Sequence, residues 1–302
     1  MINQGLGQFL DQIARQRISL YGINIYQHGE MIAEQYLAPD VPRNIYSASK
    51  SFAVTAIGIL IEEGRLSLAD RPVDFFPDHL PGYLAPGYGE LNLYHLLTMT
   101  SGHARALLKS DERGNIPDPD WIRYVLSQPL VSKPGERFVY SNGSTYLAGC
   151  MAEKAAGVKL VDFAFDRIFQ QMDIPYPVWG ECPMGHTFAA VMLELKLSDL
   201  IKLGVLYLNG GQYHGQRIVS ERWVQEATTF KIASQGSGTD ENHGYGYQFW
   251  LCRYPGVYLA FGRDGQYVIV IPQKDAVIAT SADEPNSQRL LDIIWDTILP
   301  VL

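Results

Sequence analysis

The sequence predicts an α+β fold: one antiparallel sheet assembled from both ends of the chain, terminal helices packed on one face of it, and a mainly helical subdomain inserted between the two sheet-forming segments. Three observations lead there. Aromatic and β-branched runs cluster at residues 18–37 and again at 247–281, an amphipathic helical pattern lies at each end, and the stretch between shows helical periodicity broken by Pro- and Gly-rich connections. Residues 1–302 are expected to form a single module, with 1–45 and 240–302 building the sheet subdomain and 46–239 the mainly helical one.

Taken in order, Leu6, Phe9, Leu10 and Ile13 recur at helical spacing, so the chain opens on a helix that needs a surface to cover. Residues 18–27, the turn His28-Gly29-Glu30 and residues 31–37 read as an antiparallel hairpin. Near the other end, residues 247–253, 257–261, 266–271 and 276–281 are separated by Pro255-Gly256, Asp264-Gly265 and Pro272-Gln273-Lys274-Asp275, which reads as a meander. Leu290, Leu291, Ile294, Trp295 and Ile298 then line one side of a closing helix capped by Asn286 or Ser287.

Of the 302 residues, 47% are hydrophobic, enough for a large core. The 24 Lys and Arg against 32 Asp and Glu leave a formal charge of -8, which disfavours nucleic acid and anionic lipid and favours a small uncharged or zwitterionic substrate. The N-terminus has no basic region followed by a long apolar stretch and a small-residue cleavage site, so a cytoplasmic location is expected. The longest apolar run, residues 52–61, falls short of the ~18–20 residues of a membrane span. Cys150, Cys182 and Cys252 match neither a zinc set nor a disulfide framework and are expected to be core or surface thiols. The histidines lack metal-binding spacing, so neither a catalytic metal nor another cofactor is expected. Composition does not specify the oligomeric state.

The chemistry concentrates at Ser47-Ala48-Ser49-Lys50, which runs straight into residues 51–61, apolar nearly all round and followed by Gly64 as a stop. Residues three apart share a helix face, so the Lys50 amine lies beside the Ser47 hydroxyl. Serine is a weak nucleophile until a neighbour accepts its proton, and a desolvated lysine near a helix N-terminus has a lowered pKa suited to that task. The same helix end offers the Ser47 backbone N–H to a developing oxyanion. An N-cap serine with a solvated lysine explains most isolated matches of this kind; here a lysine at the mouth of a buried helix needs a partner.

A second group, Pro134-Gly135-Glu136-Arg137-Phe138-Val139-Tyr140-Ser141-Asn142, is a turn delivering Tyr140 and Asn142 to the start of a helix. Tyr140, eased toward ionisation by a nearby lysine, is a candidate to protonate the leaving group and activate water, and Asn142 offers an amide to orient substrate. The plainer alternative makes Asn142 or Ser144 an N-cap and Tyr140 a core residue. Tyr207-Leu208-Asn209 has the same spacing at a helix end before Gly210-Gly211, where a C-terminal stop explains it. His103 and residues 109–120 are candidates for a rim over the site, with an ordinary surface loop the simpler account.

Together, Ser47 to Lys50, His95-Leu96-Leu97-Thr98-Met99-Thr100-Ser101-Gly102 and residues 134–142 resemble the serine β-lactamase and penicillin-binding-protein superfamily over nearly the whole chain. The resemblance is to its class C-like branch, which includes family VIII carboxylesterases and 6-aminohexanoate-dimer hydrolases. It implies a β-lactamase/transpeptidase-like fold, Ser47 as the acylated nucleophile, Lys50 as its base, Tyr140 as second proton carrier and Asn142 against the substrate, and it leaves open which group takes the first proton. Where that superfamily carries Lys or His, then Thr or Ser, then Gly, this chain reads Gly262-Arg263-Asp264-Gly265-Gln266. That segment resembles the 6-aminohexanoate-dimer hydrolase subgroup and implies the Arg263 N–H as second oxyanion donor, a role compatible with a tight hairpin turn. The expected substrate is therefore a small ester or amide, with a β-lactam or D,D-peptide as alternative and a non-catalytic acyl-binding scaffold as second alternative.

Overall fold

A computed structural model describes residues 2–236 and 238–302. The N-terminal helix Ile2–Gln16 leads into the hairpin Leu20–Gln27 (β1) and Glu30–Tyr36 (β2). From the far end come Trp250–Leu251 (β3), Tyr258–Gly262 (β4), Gln266–Ile271 (β5) and Ala276–Ala282 (β6). The sheet order is β2-β1-β6-β5-β4-β3 with every neighbouring pair antiparallel, and Ile25 opposite Ile278 marks the join between the two chain ends.

The central strands β5 and β6 are buried on both faces, which is why they read as continuous apolar runs rather than as alternation. One face, with Ile23, Ile25, Ile269 and Ile278, packs on Phe9 and Ile13 of the first helix and on Leu290 and Ile294 of the closing helix Ser287–Thr297. The other face, with Val268, Val270 and Val277, packs on Leu200 and Leu203 of the helix Leu197–Leu208 and continues into the helical part of the molecule. Asn286 stands at the N-cap of the closing helix, but its side chain makes no capping hydrogen bond.

Two differences from the sequence expectation have physical causes. Instead of spanning 247–253, β3 is two residues long, because Gln248 turns through a positive φ of 60° and sends its amide inward to Thr145 and Leu97. Between the sheet-forming segments lie short strands as well as helices: Arg43–Asn44, Val178–Trp179 and Leu193–Leu195 form a small sheet, and Gln212–Tyr213 pairs with Gln216–Arg217. Pairs this short carry too little alternation to register in sequence. The three cysteines, expected as core or surface thiols, are all buried free thiols. Among the described residues no helix is long and apolar enough to cross a membrane.

Candidate active site

Ser47 sits on a single 3-10 turn, Tyr46–Ala48, and the α-helix proper is Ser49–Glu62, so the expected helix start is displaced by one short turn. Tyr46 has φ 48°, a left-handed conformation costly for an aromatic residue. It is held there because its N–H donates to Asn44 Oδ1 at 2.8 Å and its carbonyl accepts Ser49 Oγ at 2.5 Å. The small sheet braces the same turn, with Ile45 N–H donating to Leu193 O at 2.9 Å. Ser47, half-buried, lines a cavity of about 560 Å³ together with Tyr140, Asn142 and Arg263, and its side chain caps no helix. The helix behind it is buried continuously from Ser49 to Leu60 and ends before Gly64, whose φ of 69° supplies the expected stop.

Lys50 is 1% exposed. Its Nζ lies 3.1 Å from Ser47 Oγ, 2.8 Å from Asn142 Oδ1 and 2.7 Å from Ala190 O. Burial pushes its pKa well below the ordinary lysine value, the positive charge of Arg113 pushes it the same way, and among the described residues no carboxylate acts against them.

Tyr140 is packed between Trp250, at 5.1 Å between ring centroids, and Tyr245, at 6.1 Å, with Lys50 Nζ 5.0 Å above its ring. It lines the same cavity as Ser47, whose hydroxyl acts on the phenol. Burial dominates and raises the phenol above its ordinary pKa, with the Ser47 contact offsetting only part. The expectation that a nearby lysine eases this tyrosine toward ionisation is thus reversed, because the phenol's own burial outweighs it.

Asn142 opens the helix Asn142–Ala156, and neither it nor Ser144 is the N-cap. That position belongs to Ser141, whose Oγ accepts the Leu107 N–H at 3.0 Å. Asn142 Oδ1 faces Lys50 while Nδ2 donates to Leu108 O at 3.1 Å, so most of its amide is spent on the protein. Tyr207, with the same Tyr-x-Asn spacing, is a core residue bonded to Thr55 Oγ1 at 2.9 Å.

Strand β4 ends beside the Ser47 turn. A Cβ on Gly262 would stand 2.0 Å from Ile45 O, so only glycine lets the strand reach this close. The next three residues form a tight turn with Asp264 at φ 65°. The Arg263 side chain is 63% exposed; it lies over the Tyr46 ring at 4.7 Å and bonds Asp264 Oδ2 at 3.1 Å.

Two expectations about the rim change. His103 is a core residue, 1% exposed, bonded to Tyr88 Oη at 2.9 Å and Ser101 Oγ at 2.8 Å, and burial pushes its pKa down to about 4. By contrast Lys109, Ser110, Asp111 and Arg113, whose simpler account was an ordinary surface loop, form part of the cavity wall. Gln248 is a further residue of the site that no motif marks. It is 3% exposed, its carbonyl accepts Ser51 Oγ at 2.9 Å, and its amide reaches Thr145 and Leu97, so it links the Ser47 helix to the Asn142 helix from beneath. The available signal was one glutamine inside an aromatic run.

Over 287 residues the chain is 24% identical to the 6-aminohexanoate-dimer hydrolase of Paenarthrobacter ureafaciens, a match covering 87% of this chain and 72% of that relative. Its fold is similar to that of EstCE1, a hydrolase with promiscuous acyltransferase activity, with a TM-score of 0.77 at 16% identity, covering 98% of this chain and 97% of the other. It is also similar to a penicillin binding protein from Bacillus halodurans, with a TM-score of 0.74 at 17% identity, covering 97% and 100%. Residues 10–299 match the family model described as Beta-lactamase, and the chain belongs to the beta-lactamase family.

Proposed function

We propose that this chain is a serine hydrolase that cleaves a small ester or amide through an acyl-enzyme on Ser47. The observation that carries the reading is a fully buried amine with no carboxylate partner, Lys50 Nζ, 3.1 Å from a hydroxyl that opens onto a cavity. In its neutral form that amine donates to Asn142 and Ala190 and keeps a lone pair for the Ser47 proton.

In the acylation step the Ser47 proton passes to Lys50 Nζ as Oγ bonds to the carbonyl carbon, and the carbonyl π pair becomes an oxyanion. The backbone N–H groups of Ser47 and Arg263 receive that oxyanion, an assignment supported by the approach of β4 to the Ser47 turn. Collapse breaks the bond to the leaving group. Tyr140, kept protonated by burial, gives that group its phenolic proton and regains one from the Lys50 ammonium. In deacylation a water takes the place of the leaving group and bonds to the acyl carbon as its proton passes through Tyr140 to Lys50; the bond from that carbon to Ser47 Oγ then breaks, Oγ takes the proton back from the Lys50 ammonium, and the free acid leaves.

An ester or amide is favoured over a β-lactam because the Lys-Thr-Gly-type strand end is replaced by Arg263-Asp264-Gly265, whose one cation is tied to Asp264 and Tyr46. Incubation with a fluorophosphonate followed by intact-mass measurement tests the nucleophile: one adduct on the wild type and none on Ser47→Ala is expected. An equal adduct on both proteins, or none on the wild type, favours the non-catalytic alternative. Comparing kcat/KM for short-chain nitrophenyl esters and a chromogenic cephalosporin tests the substrate class, and a preference for the cephalosporin would overturn it.

A further inference from the structure

The cavity wall carries cations that the scheme above leaves unused, and Arg113 is the one held in place by packing. Arg113 is half-buried in the wall that also presents Ser47, Tyr140 and Asn142. Its guanidinium lies over the Phe188 ring at 4.7 Å, which covers one face and fixes the plane, while the donating edge is left to form hydrogen bonds. The partner on that edge is Met192 Sδ at 3.4 Å, a weak acceptor for a group with five N–H donors.

The carboxylates nearby do not serve it. Glu112, adjacent in the chain, is bound by Arg105 at 2.7 Å, and Asp111 is exposed on the cavity rim. Burial lowers the Arg113 pKa, and among the described residues no acidic group opposes it, whereas Arg71, Arg105 and Arg253 are each raised first by an acidic neighbour. Lys109 adds a second positive charge to the same wall. A half-buried guanidinium with spare donors on a cavity wall calls for a planar anion.

Resting on the serine-hydrolase reading, we propose that Arg113 is the specificity-determining residue of this pocket and that it binds a carboxylate carried by the substrate, so that the bond cleaved belongs to a compact monoanionic ester or amide. The carboxylate supplies two acceptor oxygens to the open edge of the guanidinium while Met192 and Phe188 hold the plane in place.

The test uses two matched pairs, one with the charge on the acyl side and one with it on the leaving group: the mono-4-nitroanilide of glutaric acid against its primary-amide counterpart, and 3-acetoxybenzoate against 3-acetoxybenzamide. The wild type is expected to favour the acid in at least one pair by about 10- to 100-fold in kcat/KM, mainly through KM. Arg113→Gln is expected to bring the ratio close to one by a larger loss on the acid than on its neutral counterpart, and Arg113→Lys to restore part of it. In parallel, glutarate but not glutaramide should slow fluorophosphonate labelling of Ser47 in the wild type, and neither should slow it in Arg113→Gln. Equal use of acid and amide together with equal protection by glutarate and glutaramide, or an equal loss on both members of a pair in Arg113→Gln, would sink the proposal. Absence of labelling in the wild type would instead sink the serine-hydrolase reading.

Discussion

Lys50 Nζ and Asn142 Oδ1 lie 2.8 Å apart, joining the first turns of two buried helices across 92 positions of sequence. The amide gives the amine a neutral acceptor where an acid would have held its proton. Asn142→Asp keeps the shape and adds that charge, which stabilises the ammonium. At pH 7 its kcat/KM should fall by about 10-fold or more and recover in part as pH rises, with the acid limb of the profile moved upward. An unchanged limb would remove Lys50 as the titrating base.

Lys50 also leaves a mark on stability. In the unfolded chain its amine binds a proton up to the ordinary value of 10.5, whereas in the folded chain the pKa lies well below this. The unfolded state therefore binds more protons between the two values, and the contribution to stability is complete above 10.5 and is lost as pH falls toward the folded value. Relative to Lys50→Met, the wild type should gain up to about 1.4 kcal/mol per pH unit within that window. Urea denaturation of both proteins from pH 7 to 10 checks this, and parallel curves would contradict it.

Tyr140→Phe keeps the ring between Trp250 and Tyr245 and removes only the hydroxyl. Folding should be unaffected, and turnover should fall by about 10²- to 10⁴-fold, the usual worth of a positioned proton carrier. Stopped-flow measurement separates the two halves of the cycle. Acyl-enzyme formation and breakdown should both slow, since one phenol serves each step.

Gly262→Ala places a methyl against Ile45 O, a backbone atom that cannot rotate away. The strand end must withdraw from the Ser47 turn, at a cost of about 1–3 kcal/mol in stability. The larger expected effect is on acylation, because the Arg263 N–H moves with the strand. Thermal melts and the second-order rate of fluorophosphonate labelling measure the two, and an unaltered labelling rate would argue against that oxyanion donor.

His103 predicts an acid sensitivity unrelated to catalysis. Its folded pKa of about 4 lies below the ordinary 6.5, so its contribution is complete above 6.5 and is lost as pH falls through 4. The shift corresponds to about 3 kcal/mol for this buried ring. His103→Gln should therefore show a shallower loss of Tm between pH 7 and 4 than the wild type.

The sequence by itself determined the elements whose signal is local and repeated. The unbroken apolar runs of β5, β6 and the segment behind Lys50, and the helical spacing of Phe9 and Ile13, are each patterns long enough to be unambiguous, because burial selects side chains one by one along an element. The Ser47 and Lys50 pairing was legible for the same reason, since three residues on one helix turn are neighbours whatever the fold.

The tertiary structure alone decided what depends on groups brought together from distant positions. It set the protonation tendency of Tyr140, reversed by burial between Trp250 and Tyr245. It placed His103 in the core, made Gln248 a link between helices, and brought Arg113 into the cavity with no acid to neutralise it. Solvation and electrostatic field at a point are sums over everything packed around it, and that sum is not written in any single stretch of chain.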